Sequence, residues 1–312
     1  MEQTSIPQFF YQQITFKPIE VRDVSLQGKT AIVTGSNTGV GFEISRQLLD
    51  LGISRLILAV RNEEKGNIAA TQLSTDKSSS HTFDIEVWKL NLSTYDSIVA
   101  FVERTKSLER LDIIVLNAGI APASFSLNEN TGHSECIQVN YLSTALLAIL
   151  LLPIVKKTRA NQPEASHITF VSSEVAGWTS FKQKNEIPLL KALDKPGKVN
   201  MLDHMMVSKL LGQFFIVELA RIVSRSVVII NSTSPATVHD SEFNRDHDKT
   251  FSGAIAKKFI KLYANTAPVG ARMITDTIVN RGEESHGYFF SFQKPTPYVV
   301  PFLIILSIEV FI

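Results

Sequence analysis

Residues 29–41 read KTAIVTGSNTGVG, and the order of residue types in this stretch decides the fold. Lys29 to Val33 is a short run of apolar and β-branched side chains, the pattern of a strand buried on both faces of a parallel sheet. Glycines follow at 35, 39 and 41, and Phe42–Leu51 then sets Ile44, Leu48 and Leu51 at helical spacing. Gly35 allows a tight turn. Gly39 and Gly41 remove side chains where a diphosphate must approach the first turn of the helix. Free N–H groups at that helix start then meet the negative charge. Gly35, Ser36, Asn37, Gly39, Val40 and Gly41 are therefore the expected cradle for a dinucleotide.

Strands and helices alternate outward from this point. Strands are expected at Arg55–Val60, Asp84–Leu90, Leu111–Leu116, His167–Val171 and Ser226–Asn231. Helices are expected at Glu63–Leu73, Ser97–Leu108, Glu135–Val155 and Leu202–Ile222. This alternation implies an α/β chain: a single Rossmann-type doubly wound parallel sheet, flanked by helices, with right-handed crossovers. The expected organisation is an N-terminal arm over 1–27 without a clean period, a dinucleotide-binding domain over 28–290, and an apolar tail over 291–312. Arg61 directly follows the second strand, where an acidic residue would bond the ribose hydroxyls of NAD. The Arg61–Asn62 pair suits a 2′-phosphate instead, so NADP is the expected cofactor.

The bulk composition narrows the function classes. A chain of 312 residues with 44% hydrophobic side chains can bury a substantial core, and a formal net charge of +1 offers no basic field for nucleic acid. Cys136 is the only cysteine, which excludes an internal disulfide and fits a reducing compartment; it reads as a small buried residue rather than a reactive thiol. The seven histidines show no metal-ligand spacing, and His239 and His247 flank an acidic stretch that reads as a solvated loop, so no metal is expected. The N-terminus has no basic region followed by an apolar run, and the cytoplasm is the expected compartment. Residues 298–312, YVVPFLIILSIEVFI, are fewer than the roughly 20 apolar residues of a spanning helix. Pro301 and Glu309 weaken a membrane role further. A docked tail is favoured over a membrane-touching anchor or an altered chain end.

Five further motifs, in order, give the chain a resemblance to the short-chain dehydrogenase/reductase family. TGSNTGVG matches its cofactor turn, and Asn117–Ala118–Gly119 its motif after the fourth strand. Asn140 in QVNYLST matches its helix asparagine, Val171–Ser172–Ser173 its serine strand, and Lys209 in VSKLL its active-site lysine. Pro235, in INSTSPATV, lies where the family turns near the nicotinamide. The match runs from about Gly28 to Gly287 and is most similar to the retinol-dehydrogenase-like branch, in particular to fungal members of secondary-metabolite pathways. The resemblance implies Ser173, Lys209 and Asn140 as catalytic residues. It also adds Asn91, Leu92, Asn117, Ala118, Gly119, Lys209, Pro235 and Val238 to the cofactor site.

One position breaks the family pattern. The family reaction needs a tyrosine four residues before the lysine, to pass a proton to or from the substrate oxygen, and here that position is Met205. A thioether has no proton to give. His204 is displaced by about 100° on a helix, and Tyr141, beside Asn140, reads as packing. Asn91 stands where the family commonly has aspartate, and Ala236 replaces a glycine after Pro235. Two readings follow. The first is an NADP-dependent oxidoreductase acting on a hydroxyl or ketone of a bulky apolar molecule. Its substrate walls would be the insertions at about 178–203 and 237–259, through Trp178, Phe181, Leu189, Leu190, Leu193, Phe243 and Phe251. The second is a cofactor-binding pseudoenzyme. The oligomeric state is left open.

Overall fold

The computed structural model describes residues 5–75, 82–248 and 257–296. The chain runs α1 (Ile6–Thr15), β1 (Thr30–Thr34), α2 (Gly39–Asp50), β2 (Arg55–Val60), α3 (Glu63–Thr75), β3 (Asp84–Lys89), α4 (Tyr95–Thr105), β4 (Ile113–Leu116) and α5 (Glu135–Asn161). It continues through β5 (Ser166–Val171), α6 (Leu189–Leu193), α7 (Met201–Ile222), β6 (Val228–Thr233), α8 (Ala267–Asn280), β7 (Phe289–Ser291) and β8 (Lys294–Thr296). The eight strands form one sheet in the order β3-β2-β1-β4-β5-β6-β7-β8, parallel except for β8, which runs antiparallel to β7. The expected doubly wound α/β sheet is what the chain forms.

Period-two alternation along the central strands builds a core on each face. Ile32, Ile57, Ala59, Ile114 and Leu116 pack into one apolar cluster with α4, α5 and α7. Their neighbours Ala31, Val33, Leu56, Leu58, Ile113 and Val115 pack into the other, with Ile44 and Leu48 of α2 and Ile274 and Ile278 of α8. Each large aliphatic side chain buried in this way contributes about 1.5–3 kcal/mol. The strand order reverses between β1 and β4, opening a crevice at their carboxyl ends where open sheets of this kind bind ligands.

Four regions differ from the sequence expectation. The N-terminal arm holds a helix, α1, capped by Ser5, whose hydroxyl accepts from Gln8 N at 3.4 Å. It buries Phe9 and Gln13 one turn apart and leaves Tyr11 and Ile14 exposed, so its apolar stripe is narrow. Helix α5 is continuous but opens into a π-helical turn at Gln138–Ser143; the most apolar 18-residue stretch within Glu135–Asn161 is two-thirds buried as core. The boundary expected at 290 falls inside β7, and Lys294–Thr296 completes the sheet rather than starting a tail. The segment 298–312 lies outside the described residues. Finally, Phe181, Leu189 and Leu193 belong to the core cluster, with Leu190 packed against it. They are not the substrate wall expected of them, because the loop after β5 folds back onto α7.

Candidate active site

The glycine-rich turn is built for close approach. Gly35 and Gly39 adopt φ of +65° and +56°, a region side-chain-bearing residues avoid. A Cβ at Gly35 would lie 3.0 Å from the backbone of Ala118, and one at Gly41 would collide with the Gly35 carbonyl and the Asn117 amide. Asn117 fastens the turn to the end of β4: its Nδ2 donates to the carbonyls of Thr34 at 2.9 Å and Gly35 at 3.3 Å. Thr34 Oγ1 accepts from Asn117 N and Ala118 N. Helix α2 starts after Thr38, whose side chain makes no cap hydrogen bond. Ser36 Oγ is buried without a partner. An orphaned hydroxyl beside an uncapped helix start is what a bound phosphate would satisfy. The residues present therefore fit a dinucleotide.

The crevice is one cavity of about 560 Å³ that joins this turn to the ends of β4, β5 and β6. Of the expected cofactor residues, Gly35, Asn37, Gly39, Val40, Gly41, Arg61, Asn91, Leu92, Asn117, Ala118, Gly119, Lys209, Pro235 and Val238 line it, and Ser36 lies buried beneath. Arg61 is exposed and free to reach outward, whereas Asn62 is committed elsewhere: its Oδ1 accepts from Lys65 N at 2.9 Å and caps α3. The expected Arg–Asn pair thus reduces to the arginine. Asn91 Oδ1 accepts from Ser93 N at 3.2 Å. Ala236 adopts φ +57°, so the residue that replaces glycine after Pro235 carries backbone strain rather than filling space.

Ser173, Met205 and Lys209 share the inner part of the cavity. Ser173 sits just past β5, where its hydroxyl accepts from Val175 N at 3.4 Å and caps the 3-10 turn Glu174–Trp178. Lys209 Nζ donates to Val171 O at 2.9 Å and lies 5.8 Å from the Phe243 ring. Burial without a carboxylate partner pulls its ammonium down from 10.5 to about 8. Met205, one turn earlier on α7, packs with Ala121 and Cys136. Asn140 stands in the π-helical turn, a geometry that often marks functional positions. Its Oδ1 accepts from Ile120 N at 2.8 Å, and its Nδ2 donates to Ile120 O at 2.9 Å and Ser208 Oγ at 3.0 Å. Its side chain is thus spent on holding the loop after β4 against α7.

Among the described residues, neither His204, Tyr141 nor Cys136 offers its proton to the cavity beside Met205. His204 Nε2 meets Ser134 Oγ at 2.8 Å and its ring packs on Phe125, away from the cavity. Tyr141 is buried in the core, which raises its pKa well above the ordinary phenol range. Burial likewise pushes the Cys136 thiol up to about 11.

Sequence reasoning missed three features here. Phe9 and Phe10 of α1 line the cavity, as does Tyr263; no local pattern marks an arm residue as a wall. Of the expected wall residues, Trp178 and Phe243 do line it, while Phe251 lies outside the described residues. Glu174 is buried, and its two oxygens accept from Ser234 Oγ at 2.5 Å and Ser291 Oγ at 2.6 Å. Burial raises its carboxyl pKa against the lowering effect of those hydroxyls. Only its place next to Ser173 hinted at a role.

A dinucleotide cradle at the β1–β4 switch point, continuous with a half-buried serine and lysine, defines an oxidoreductase that uses a nicotinamide cofactor. The chain belongs to the short-chain dehydrogenase family: the family model described as short chain dehydrogenase matches residues 29–185. Among curated relatives, it is 40% identical over 303 residues to the short-chain dehydrogenase fogG of Aspergillus ruber, covering 95% of this chain and 86% of the relative. It is 39% identical over 293 residues to the short chain dehydrogenase/reductase mfmJ of Annulohypoxylon moriforme, covering 93% and 84%. In fold it is similar to the Pseudomonas aeruginosa RhlG/NADP active-site complex, with a TM-score of 0.64 at 21% identity over 86% of this chain and 95% of that one. A short chain dehydrogenase from Salmonella enterica serovar Typhi gives a TM-score of 0.62 at 20% identity, covering 88% and 100%.

Proposed function

We propose that the protein is an NADP-dependent oxidoreductase that interconverts a hydroxyl and a ketone on a bulky apolar molecule, within a fungal secondary-metabolite pathway. One observation carries this reading: the glycine turn, Arg61, Ser173 and Lys209 open into a single cavity whose remaining wall is largely apolar. The fungal relatives and the NADP-bound structural neighbour support it. When bound, the nicotinamide group supplies or accepts a hydride. The residues of this chain do the rest. The α2 N-terminus and Ser36 would hold the diphosphate, Arg61 would meet the 2′-phosphate, and Ser173 would orient the substrate oxygen. Lys209, desolvated and cationic near neutral pH, is the charged proton source at that end.

Fluorescence titration with NADPH and NADH tests the cofactor half without knowledge of the substrate. Tight NADPH binding and weak NADH binding are expected. Arg61→Ala should weaken NADPH by about 10- to 100-fold, the effect of one charge-assisted contact, and leave NADH unchanged. Equal binding of the two cofactors contradicts the assignment. Met205 favours a second reading, a pseudoenzyme that binds the cofactor without turnover. Substrate-dependent NADPH oxidation that Lys209→Ala abolishes would exclude it.

A further inference from the structure

Four aromatic rings from distant parts of the chain meet on the cavity wall. Phe9 lies 5.1 Å from Trp178 in an edge-to-face contact, Phe9 and Phe10 are 5.6 Å apart, and Phe10 and Tyr263 are 5.4 Å apart. All four rings line the cavity, and three of their interplanar angles run from 73° to 82°. Edge-to-face stacking fixes each ring by the quadrupole of the next. Phe10 remains 37% exposed, so apolar surface at the cavity is left for a ligand to cover.

Helix α1 carries half of this wall and is held in place from inside. Gln13 is buried, and its Oε1 accepts from Thr237 N at 2.8 Å. Its Nε2 donates to Tyr263 O at 3.2 Å and Thr237 O at 3.4 Å. Thr237 belongs to the turn after Pro235 and Ala236, which faces the cofactor site. One amide therefore ties the helix both to that turn and to the strand of backbone that bears the fourth ring. A loosely docked arm has no need of such a reciprocal pair.

We infer that α1 is a specificity element, and that the aromatic chain from Trp178 through Phe9 and Phe10 to Tyr263 selects substrates carrying a planar aromatic ring next to the reacting hydroxyl or ketone. This rests on the oxidoreductase reading for the reacting group, but the ring selection itself does not require turnover. A flat ring continues the edge-to-face series, gaining the aromatic pairing term on top of its buried area; a saturated ring of equal size gains the area alone. One such pairing corresponds to about a 3- to 10-fold preference.

The test is calorimetric titration of the full chain, with and without NADP⁺, using 2-tetralone and its saturated counterpart 2-decalone. Tighter binding of 2-tetralone by about 3- to 10-fold is expected. The preference should fall toward unity in Phe10→Leu, which keeps apolar bulk without an aromatic face, and in Gln13→Ala, which frees α1. NADP⁺ affinity should stay as in the parent protein for Phe10→Leu, which shows that the variant is folded. Equal binding of the two ketones, no binding of either, or an unchanged preference in Phe10→Leu overturns the inference. Selective binding of 2-tetralone without any NADPH consumption would leave the aromatic wall standing and reject the reaction instead.

Discussion

Met205, Asn91 and Ala236 are the positions at which this chain departs from the family pattern that its motifs resemble. Met205 occupies the face of α7 one turn before Lys209, at the cavity wall and without a transferable proton. Loss of a general acid costs about 10²- to 10⁴-fold in rate. Met205→Tyr should recover a factor in that range in NADPH consumption with ketone substrates; no gain would show that another group already supplies the proton. Lys209 exerts an opposing effect on stability. Its ammonium is desolvated, with a folded-state pKa near 8 against an ordinary 10.5. A lysine whose pKa is lowered on folding weakens the fold below the folded value, and stability recovers as pH rises from about 8 to above 10. Lys209→Met should therefore stabilise the fold at pH 7 by on the order of 3 kcal/mol at most, read as a higher urea midpoint, and remove that alkaline recovery. A lower midpoint would mean that the bond to Val171 outweighs the burial of charge.

At the scale of elements, what the sequence reveals follows from where each element finds its partners. β1, α2 and β2 were legible because their signals are local: β-branched runs, glycines at the turn and helical spacing. α8 carries the same kind of signal in Ala267, Ala271, Ile274 and Ile278. α1 does not. It buries two residues, and the groups that hold it lie far along the chain at Trp178, Thr237, Tyr263 and Phe292. β7 and β8 span three residues each, too few for a period to emerge. Ser173 and Lys209 stand out in the sequence through motifs, whereas Glu174 is marked only by its place beside Ser173, because its partners Ser234 and Ser291 come from the ends of β6 and β7. This carboxyl joins three strand ends, and it carries a testable signature. Its pKa is raised on folding above the ordinary 4.5. A carboxyl so shifted supports the fold fully below its unfolded value and loses that support as pH rises through its folded one. Glu174→Gln should flatten this decline in stability above pH 4.5, measured by urea unfolding across pH; an unchanged slope would place the decline elsewhere.

Over the whole molecule, the two cores and the crevice at the β1–β4 reversal follow from one alternation of strand and helix. The margins of the sheet have a different logic. An edge strand exposes a row of N–H and C=O groups that another chain can extend. β8 ends one margin with Lys294, a solvated charge, and Pro295, which has no N–H to offer. β3 ends the other with Asp84, Glu86 and Lys89, and Arg55 and Arg104 pair with Glu86. At either border an incoming ribbon would have to strip water from charge or forgo a ladder bond. At high concentration, these two borders thus discourage copies of this chain from polymerising edge to edge.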